Sequence, residues 1–395
     1  MHWPAHRFED RPWKPVGRQG SRADRTLTNI TVAIPPRLAA LDYEPTGSVA
    51  RRHETALIAI ARLEAGHGQH LAPLADFLLR SESVASSKIE QIDADWRAFS
   101  RAFAGGKASD AARSQLAAAR ALTAMIDAAN SGPVTLDTLL QAHRVLMAPD
   151  PYADNPGALR TVQNWIGGSD YSPLDAAFIP PPPELVPELV DDLLQFAART
   201  DLPVLAKAAI AHAQFESIHP FVDGNGRIGR ALISAILRHS ALTERITVPL
   251  ASVMLADTDD YFQRLTGYRA GDVDQFVDYV AGAAIHASEA AAESAARLAK
   301  LPEKWRQATR PRTNSGEASL IEALLDTPIM NADTATAITG TSDASTYNAL
   351  AHLTEAGVLV VISESARYRI WAAAAVLAEL TDLNAAIGAR VTDAS

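Results

Sequence analysis

Cysteine is missing from all 395 residues. Its absence excludes disulfides, zinc ribbons, thiol nucleophiles and iron–sulfur clusters, and it suits a reducing compartment. A long apolar run is missing too. The N-terminal stretch holds Arg7, Arg11, Lys14, Arg18, Arg22 and Arg25 with Pro4, Pro12 and Pro15, and no hydrophobic segment separates them. That is not the pattern of a secretory leader. The richest late run, Ala372 to Leu380, is short, dominated by alanine and interrupted by Glu379. It would not cross a bilayer. Positive charge is in deficit: 36 Lys and Arg stand against 46 Asp and Glu, a net charge of −10. Coating of nucleic acid or anionic membrane by the whole protein is thereby excluded, whereas a local basic pocket is not. The expectation is a soluble, cytoplasmic protein with no membrane partner.

What is present is globular: 48% hydrophobic and 21% charged residues, enough for two or three domains at about 150 residues each. Residues 1–50 mix tryptophan, arginine and proline without helical period and read as an arm. Residues 51–130 read as an N-terminal helical region. Ala56, Leu57, Ile60 and Leu63, then Leu71, Leu74, Phe77 and Leu78, recur at three and four, with Gly66 and Gly68 between the two helices. Residues 131–300 form the main helical domain. Within it, Asn155-Pro156-Gly157 and Gly167-Gly168 mark turns, and runs 160–166 and 177–180 are predicted to pair as a hairpin. Residues 301–316 read as a linker. Residues 317–395 follow as a small unit and a final helix. Helices at 320–325, 331–338 and 344–356 precede strands at 358–362 and 368–371, a winged-helix pattern.

The informative segment is His219-Pro220-Phe221-Val222-Asp223-Gly224-Asn225-Gly226-Arg227-Ile228-Gly229-Arg230. Amphipathic helices flank it on both sides. Gly224, Gly226 and Gly229 spell a dinucleotide fingerprint, but that motif follows a strand, and here a helix precedes it. The physics of anion binding remains. Two glycines permit backbone angles that let successive N–H groups converge, and the loop opens into a helix N-terminus. Arg227 and Arg230 supply forks for phosphate oxygens. Asp223 supplies a hard oxygen for Mg²⁺, and His219 can take a proton from an attacking hydroxyl. Metal-dependent hydrolysis through His212, His219 and Asp223 is the competing chemistry; zinc sites want three convergent ligands, and the two arginines point to phosphate instead.

This segment resembles the motif of the Fic (filamentation induced by cAMP) family, His-x-Phe-x-Asp/Glu-Gly-Asn-Gly-Arg-x-x-Arg, at every fixed position. The resemblance extends over roughly residues 50–285. It implies an all-α fold, a Fic helical core with a small β-hairpin flap at 155–181, here joined to the C-terminal winged-helix domain. It implies a protein adenylyltransferase, moving AMP from ATP to a Ser, Thr or Tyr hydroxyl of a target protein or of the chain itself. His219 would be the base, Phe221 the anchor of the loop, and Asp223 the Mg²⁺ ligand. Gly224, Asn225, Gly226, Arg227, Ile228, Gly229 and Arg230 would form the nucleotide-binding stretch, with Arg230 toward the γ-phosphate. Tyr261 would contact the adenine.

Ser86-Ser87-Lys88-Ile89-Glu90 resembles the family's inhibitory helix, in which Gly or Asn follows the glutamate; here Gln91 follows. Ser86 and Glu90 are four apart and share a helix face. A carboxylate presented to Arg230 would keep that arginine from the γ-phosphate, and the same Glu90 could serve AMP removal. The alternative function is DNA regulation through the winged-helix unit. Charge opposes it: residues 311–371 hold only Arg312, Arg367 and Arg369 as basic residues besides histidine, and the helix at 342–356 has no Lys or Arg. A protein-binding or homodimerising role for this unit is preferred.

Overall fold

Helices dominate, as the spacing of apolar residues at three and four requires. The computed structural model describes residues 3–15, 17, 19–66, 71–363 and 368–394. Arg18, Gly68 and Arg367 lie outside them. The chain begins with β1 (Arg7–Pro12), α1 (Arg22–Thr26), β2 (Asn29–Ile34), α2 (Gly47–Ala65), α3 (Leu71–Ile89), α4 (Trp96–Phe103), α5 (Asp110–Ala129) and α6 (Leu136–Met147). Then come α7 (Val186–Ala198), α8 (Val204–Ile218), α9 (Asn225–His239), α10 (Leu250–Ala256), α11 (Thr258–Arg269), α12 (Val273–Leu298) and α13 (Leu301–Thr309). Last are α14 (Gly316–Ala323), β3 (Ile329–Asn331), α15 (Ala332–Thr339), α16 (Asp343–Glu355), β4 (Leu359–Val361), β5 (Ile370–Ala373) and α17 (Ala374–Ala394). Among the described residues no helix is long and apolar enough to cross a membrane.

The chain divides into two compact units. The first comprises Met1–Thr55, Ala121–Leu242 and Thr258–Gly282. Its centre is α8, buried from Leu205 to Ile218. A helix surrounded on all sides needs small residues to let its neighbours approach, and the alanines of α8 supply them. The segment expected to be an arm is more ordered than its composition suggests. β1 and β2 pair antiparallel, from Arg7 opposite Ile34 to Pro12 opposite Asn29. The cause is the alternation in β2: Ile30, Val32 and Ile34 turn to one face and pack with Trp13, Leu27, Ile179 and Leu185.

The hairpin expected from 160–166 and 177–180 narrows to one bridge, Ile166 with Phe178. Gly167 and Gly168 both adopt positive φ, 72° and 74°, and bend the chain straight after the bridge. On the other side Pro180 to Pro183 have no N–H to extend a ladder. Gln163 bonds the Pro180 carbonyl through its side chain instead, at 2.9 Å.

The second unit comprises Ala56–Arg120, Thr243–Asp257 and Ala283–Ser395. Here α3 packs against α10, and the Glu82 carboxylate caps α10 by accepting the Ala251 N–H at 2.7 Å. The stretch read as a linker carries α13, in which Pro302 sits in the first turn, where its missing N–H is harmless. Beyond it, β5 lies between β3 and β4, both pairings antiparallel. β3 was not anticipated; three residues are too short for a periodic signal.

The C-terminus of α3 accounts for the residue after Glu90. Gln91 has φ 60°, its N–H donates to Lys88 O at 2.9 Å, and Ile92 N–H donates to Ser87 O at 3.0 Å. This paired closure puts a left-handed residue just past the helix end, where Gly or Asn costs least. Gln91→Gly relieves about 1–2 kcal/mol of strain and forfeits about 0.5–1 kcal/mol through the freer unfolded chain. A net gain of about 0.5–1 kcal/mol is expected, read from the midpoint of urea unfolding.

Candidate active site

The site lies in the first unit, where α8 turns into α9. Helix α8 ends because Pro220 cannot continue it, and His219 takes the left-handed conformation at φ 49°, its N–H donating to Phe215 O at 2.8 Å. Phe221 is buried and its ring stacks on His143 at 3.9 Å, which places it as the expected anchor. Asn225 clamps the loop: its Oδ1 accepts the Phe221 N–H and its Nδ2 donates to the Phe221 carbonyl, each at 2.8 Å.

Of the glycines expected to form a backbone nest, only Gly224 is left-handed, at φ 76°. A Cβ there would sit 2.8 Å from Leu146 Cδ2. Gly226 already belongs to the first turn of α9. The start of α9 has no side-chain cap, and the first turn of a helix is suited to an anion. Arg227 and Arg230 are both buried, Arg230 to 2% exposure. Asp223 lies 3.5 Å from Arg227, and its side chain keeps 67% of its surface open. Its Oδ1 accepts the Gly224 N–H at 2.6 Å, and an open carboxylate beside a helix start is a donor that would suit Mg²⁺. Among the described residues no group of three His, Asp or Glu could hold a metal alone. His212, the third ligand of the hydrolase reading, is fully buried and bonds the Tyr261 hydroxyl at 2.9 Å.

Ile228 and Gly229 serve packing. Ile228 is buried, and a Cβ on Gly229 would run into the Glu216 carboxylate and come within 3.0 Å of Phe215. Tyr261, expected at the adenine, is also turned into the core at 0% exposure; the open ring beside it in the sequence is Phe262, at 49%. Position on α11 decides this, since neighbouring helical residues point about 100° apart. Ser86 and Glu90 belong to the second unit, Ser86 buried on α3 and Glu90 at its end.

The His219 ring is partly buried, and desolvation, with Arg160 and Arg269 adding their positive charge, pushes its pKa down to about 3. It is a neutral imidazole at physiological pH, as a proton acceptor must be.

Three residues that sequence reasoning did not single out hold this loop. Arg160 is buried and donates to four carbonyls: His219 O at 2.9 Å, Val162 O at 3.0 Å, Pro181 O at 2.6 Å and Ile218 O at 3.3 Å. His143 accepts the Gly157 N–H on Nδ1 at 2.8 Å and donates from Nε2 to Asp223 O at 3.1 Å, which fixes its tautomer. Asn164 donates to His219 Nδ1 at 2.8 Å and to Phe221 O at 2.9 Å. His143 left a signal, a polar ring on the apolar stripe Leu139, Ala142 and Leu146 of α6. Arg160 and Asn164 left none. Arg160→Ala strips four carbonyls, two buried and two partly buried, of a charged donor and is expected to cost about 3 kcal/mol or more in urea unfolding. Lysine, lacking the planar fork, should restore little.

Residues 133–237 match the model of the Fic/DOC family. The chain is similar to a protein adenylyltransferase of Caenorhabditis elegans, 30% identical over 169 residues, 42% of this chain and 30% of the relative. It is similar to a probable protein adenylyltransferase of Aquifex aeolicus (strain VF5), 44% identical over 75 residues, 19% of this chain and 23% of the relative. The chain thus spans less than a third of the length of these two curated relatives. A Fic family protein from Desulfovibrio desulfuricans G20 superposes with a TM-score of 0.53 at 22% identity, covering 84% of this chain and 98% of the other. A Fic domain containing signaling protein from Bacteroides thetaiotaomicron VPI-5482 gives 0.52 at 19% identity, covering 62% of this chain and 97% of the other. At such identities the likeness is one of fold.

Proposed function

We propose, from the match of residues 133–237 to the Fic/DOC family model, that the chain is a protein adenylyltransferase, moving AMP from ATP to a hydroxyl of a target protein. The reading is carried by one arrangement: a neutral, partly buried His219 and a helix start without a side-chain cap, separated by the five residues 220–224 of a clamped loop. The target hydroxyl attacks the α-phosphorus, its proton passes to His219, and pyrophosphate leaves. The N–H groups at the start of α9, with Arg227 and Arg230, would hold phosphate oxygens, and Asp223 would hold Mg²⁺. Bound Mg²⁺ supplies neutralisation of phosphate charge. Such a reaction needs positioning and electrostatics rather than a covalent intermediate.

Glu90 is the restraint in this reading. It closes a helix whose left-handed cap at Gln91 matches the position where the resembling motif has Gly or Asn. Incubation of Glu90→Gly protein with labelled ATP and Mg²⁺ tests the whole scheme. Label on protein is expected above the wild-type level and dependent on His219. Label that ignores His219, or no label in any variant, refutes it.

Residues 316–373 are proposed to be a winged-helix unit that binds protein, including a second copy of the chain, rather than DNA. Helix α16 carries no Lys or Arg, and its one basic group, His352, pairs with Glu317 at 2.9 Å. Salt-dependent binding of duplex DNA by the full chain would reverse this assignment.

A further inference from the structure

Base catalysis by His219, on which the proposed function rests, requires a ring nitrogen whose lone pair is turned to the hydroxyl. A neutral imidazole has one such nitrogen, and its neighbours decide which. Nδ1 of His219 lies 2.8 Å from Asn164 Nδ2 and 3.2 Å from Asn225 Nδ2. Both amides have a defined sense in this arrangement. Asn225 cannot reverse without losing two bonds to the Phe221 backbone. Asn164 Nδ2 donates to the Phe221 carbonyl at 2.9 Å and faces the His219 carbonyl at 3.4 Å, so reversal would set its oxygen against both. Nδ1 therefore faces two donors and is the acceptor, and the ring proton sits on Nε2. In that tautomer Nε2 has no lone pair to offer. The other end of Asn164 is also informative: its Oδ1 is buried and has no hydrogen-bond partner among the described residues.

We propose that Asn164 is a positioning residue that sets the tautomer of His219, and that the arrangement seen here is the idle one. When the Asn164 amide reverses, Oδ1 accepts from Nδ1–H and Nε2 becomes the base. The exchange is charge-neutral: water takes the Nε2 proton and returns one to Nδ1. In the reaction the hydroxyl proton then goes to Nε2 as the oxygen–phosphorus bond forms and the bond to pyrophosphate breaks. The resulting imidazolium keeps its Nδ1–H on Asn164. Reversal gives up the bond to the Phe221 carbonyl, turns Oδ1 toward the carbonyls of Phe221 and His219 and leaves Asn225 Nδ2 facing Nδ1–H. It is therefore uphill in the free chain, and a target segment that donates an N–H to these carbonyls favours the active tautomer.

The test is nitrogen NMR of the full chain labelled with ¹⁵N-histidine, the His219 signals being identified by their loss in His219→Asn. At neutral pH the wild type is expected to show the Nε2–H pattern. Asn164→Asp, whose side chain only accepts, is expected to show Nδ1–H. In the Glu90→Gly background Asn164→Asp is expected to raise single-turnover AMP transfer by about tenfold or more. Asn164→Leu, which leaves Asn225 donating, should keep the Nε2–H pattern and a low rate. An Nδ1–H pattern in the wild type overturns the proposal, as does Nε2–H in a folded Asn164→Asp protein. The wild-type spectrum decides the matter even if the variant fails to fold. Tautomers as expected with no AMP transfer by any variant would remove the adenylyltransferase reading and leave the role of Asn164 standing.

Discussion

Replacement of His219 by asparagine in the Glu90→Gly background is expected to lower AMP transfer by about 10²–10⁴-fold, the usual contribution of a positioned acid or base. Asparagine is chosen because position 219 is left-handed at φ 49°, a conformation that Asn tolerates better than Ala does. The cap on α8 is made by the backbone N–H of residue 219, so it survives the change. The loop keeps its clamp, since Asn225 bonds Phe221 and Arg160 bonds only the carbonyl of residue 219. Loss of transfer should therefore come with an unchanged unfolding midpoint and unchanged ATP affinity. A variant that folds normally, binds ATP and still transfers AMP at the parent rate would remove His219 from the chemistry.

The second large effect is on stability in acid. His6, His212 and His219 are each pushed from 6.5 down to about 3. Burial is the leading cause for all three, joined by Arg269 at His6, Arg230 at His212, and Arg160 with Arg269 at His219. In the unfolded chain these rings take up protons as pH falls through 6.5, whereas in the folded chain they stay neutral until about 3. Between those values the unfolded state binds more protons, so stability is lost progressively as pH falls. At pH 5 the loss is about 2 kcal/mol per ring. Three rings give about 6 kcal/mol, a large part of the ~5–15 kcal/mol that holds a domain together. Urea titrations at pH 7 and pH 5 should differ accordingly. His6→Leu should remove about a third of the difference, because neither ring nitrogen of His6 has a hydrogen-bond partner to lose. A midpoint that does not move between these pH values would refute the account.

The motif from His219 to Arg230 was legible because its chemistry is contiguous and its helical flanks are periodic. The residues that orient it were not. Arg160 and Asn164 reach His219 across 59 and 55 positions, and His143 reaches Asp223 across 80. No local pattern encodes such meetings; they follow from how α6, α8 and the bridge at Ile166 converge. The ladder of β1 with β2 was legible in part, since β2 alternates cleanly, but arginine and proline in the same region obscured it. Tyr261 shows the limit of a motif without its surroundings: the residue was singled out from the sequence, and only packing decided that its ring is buried while that of Phe262 stays open.

Arg160 carries one further consequence. All its donors end on main-chain oxygens, at positions 162, 181, 218 and 219. A guanidinium that reads only carbonyls is indifferent to the side chains attached to them. Val162 is more than half exposed, so the surface beside the histidine can be rewritten at that position while the loop keeps its shape. The face a target would meet is thus open to change by substitution, and the geometry beneath it is insulated from those changes.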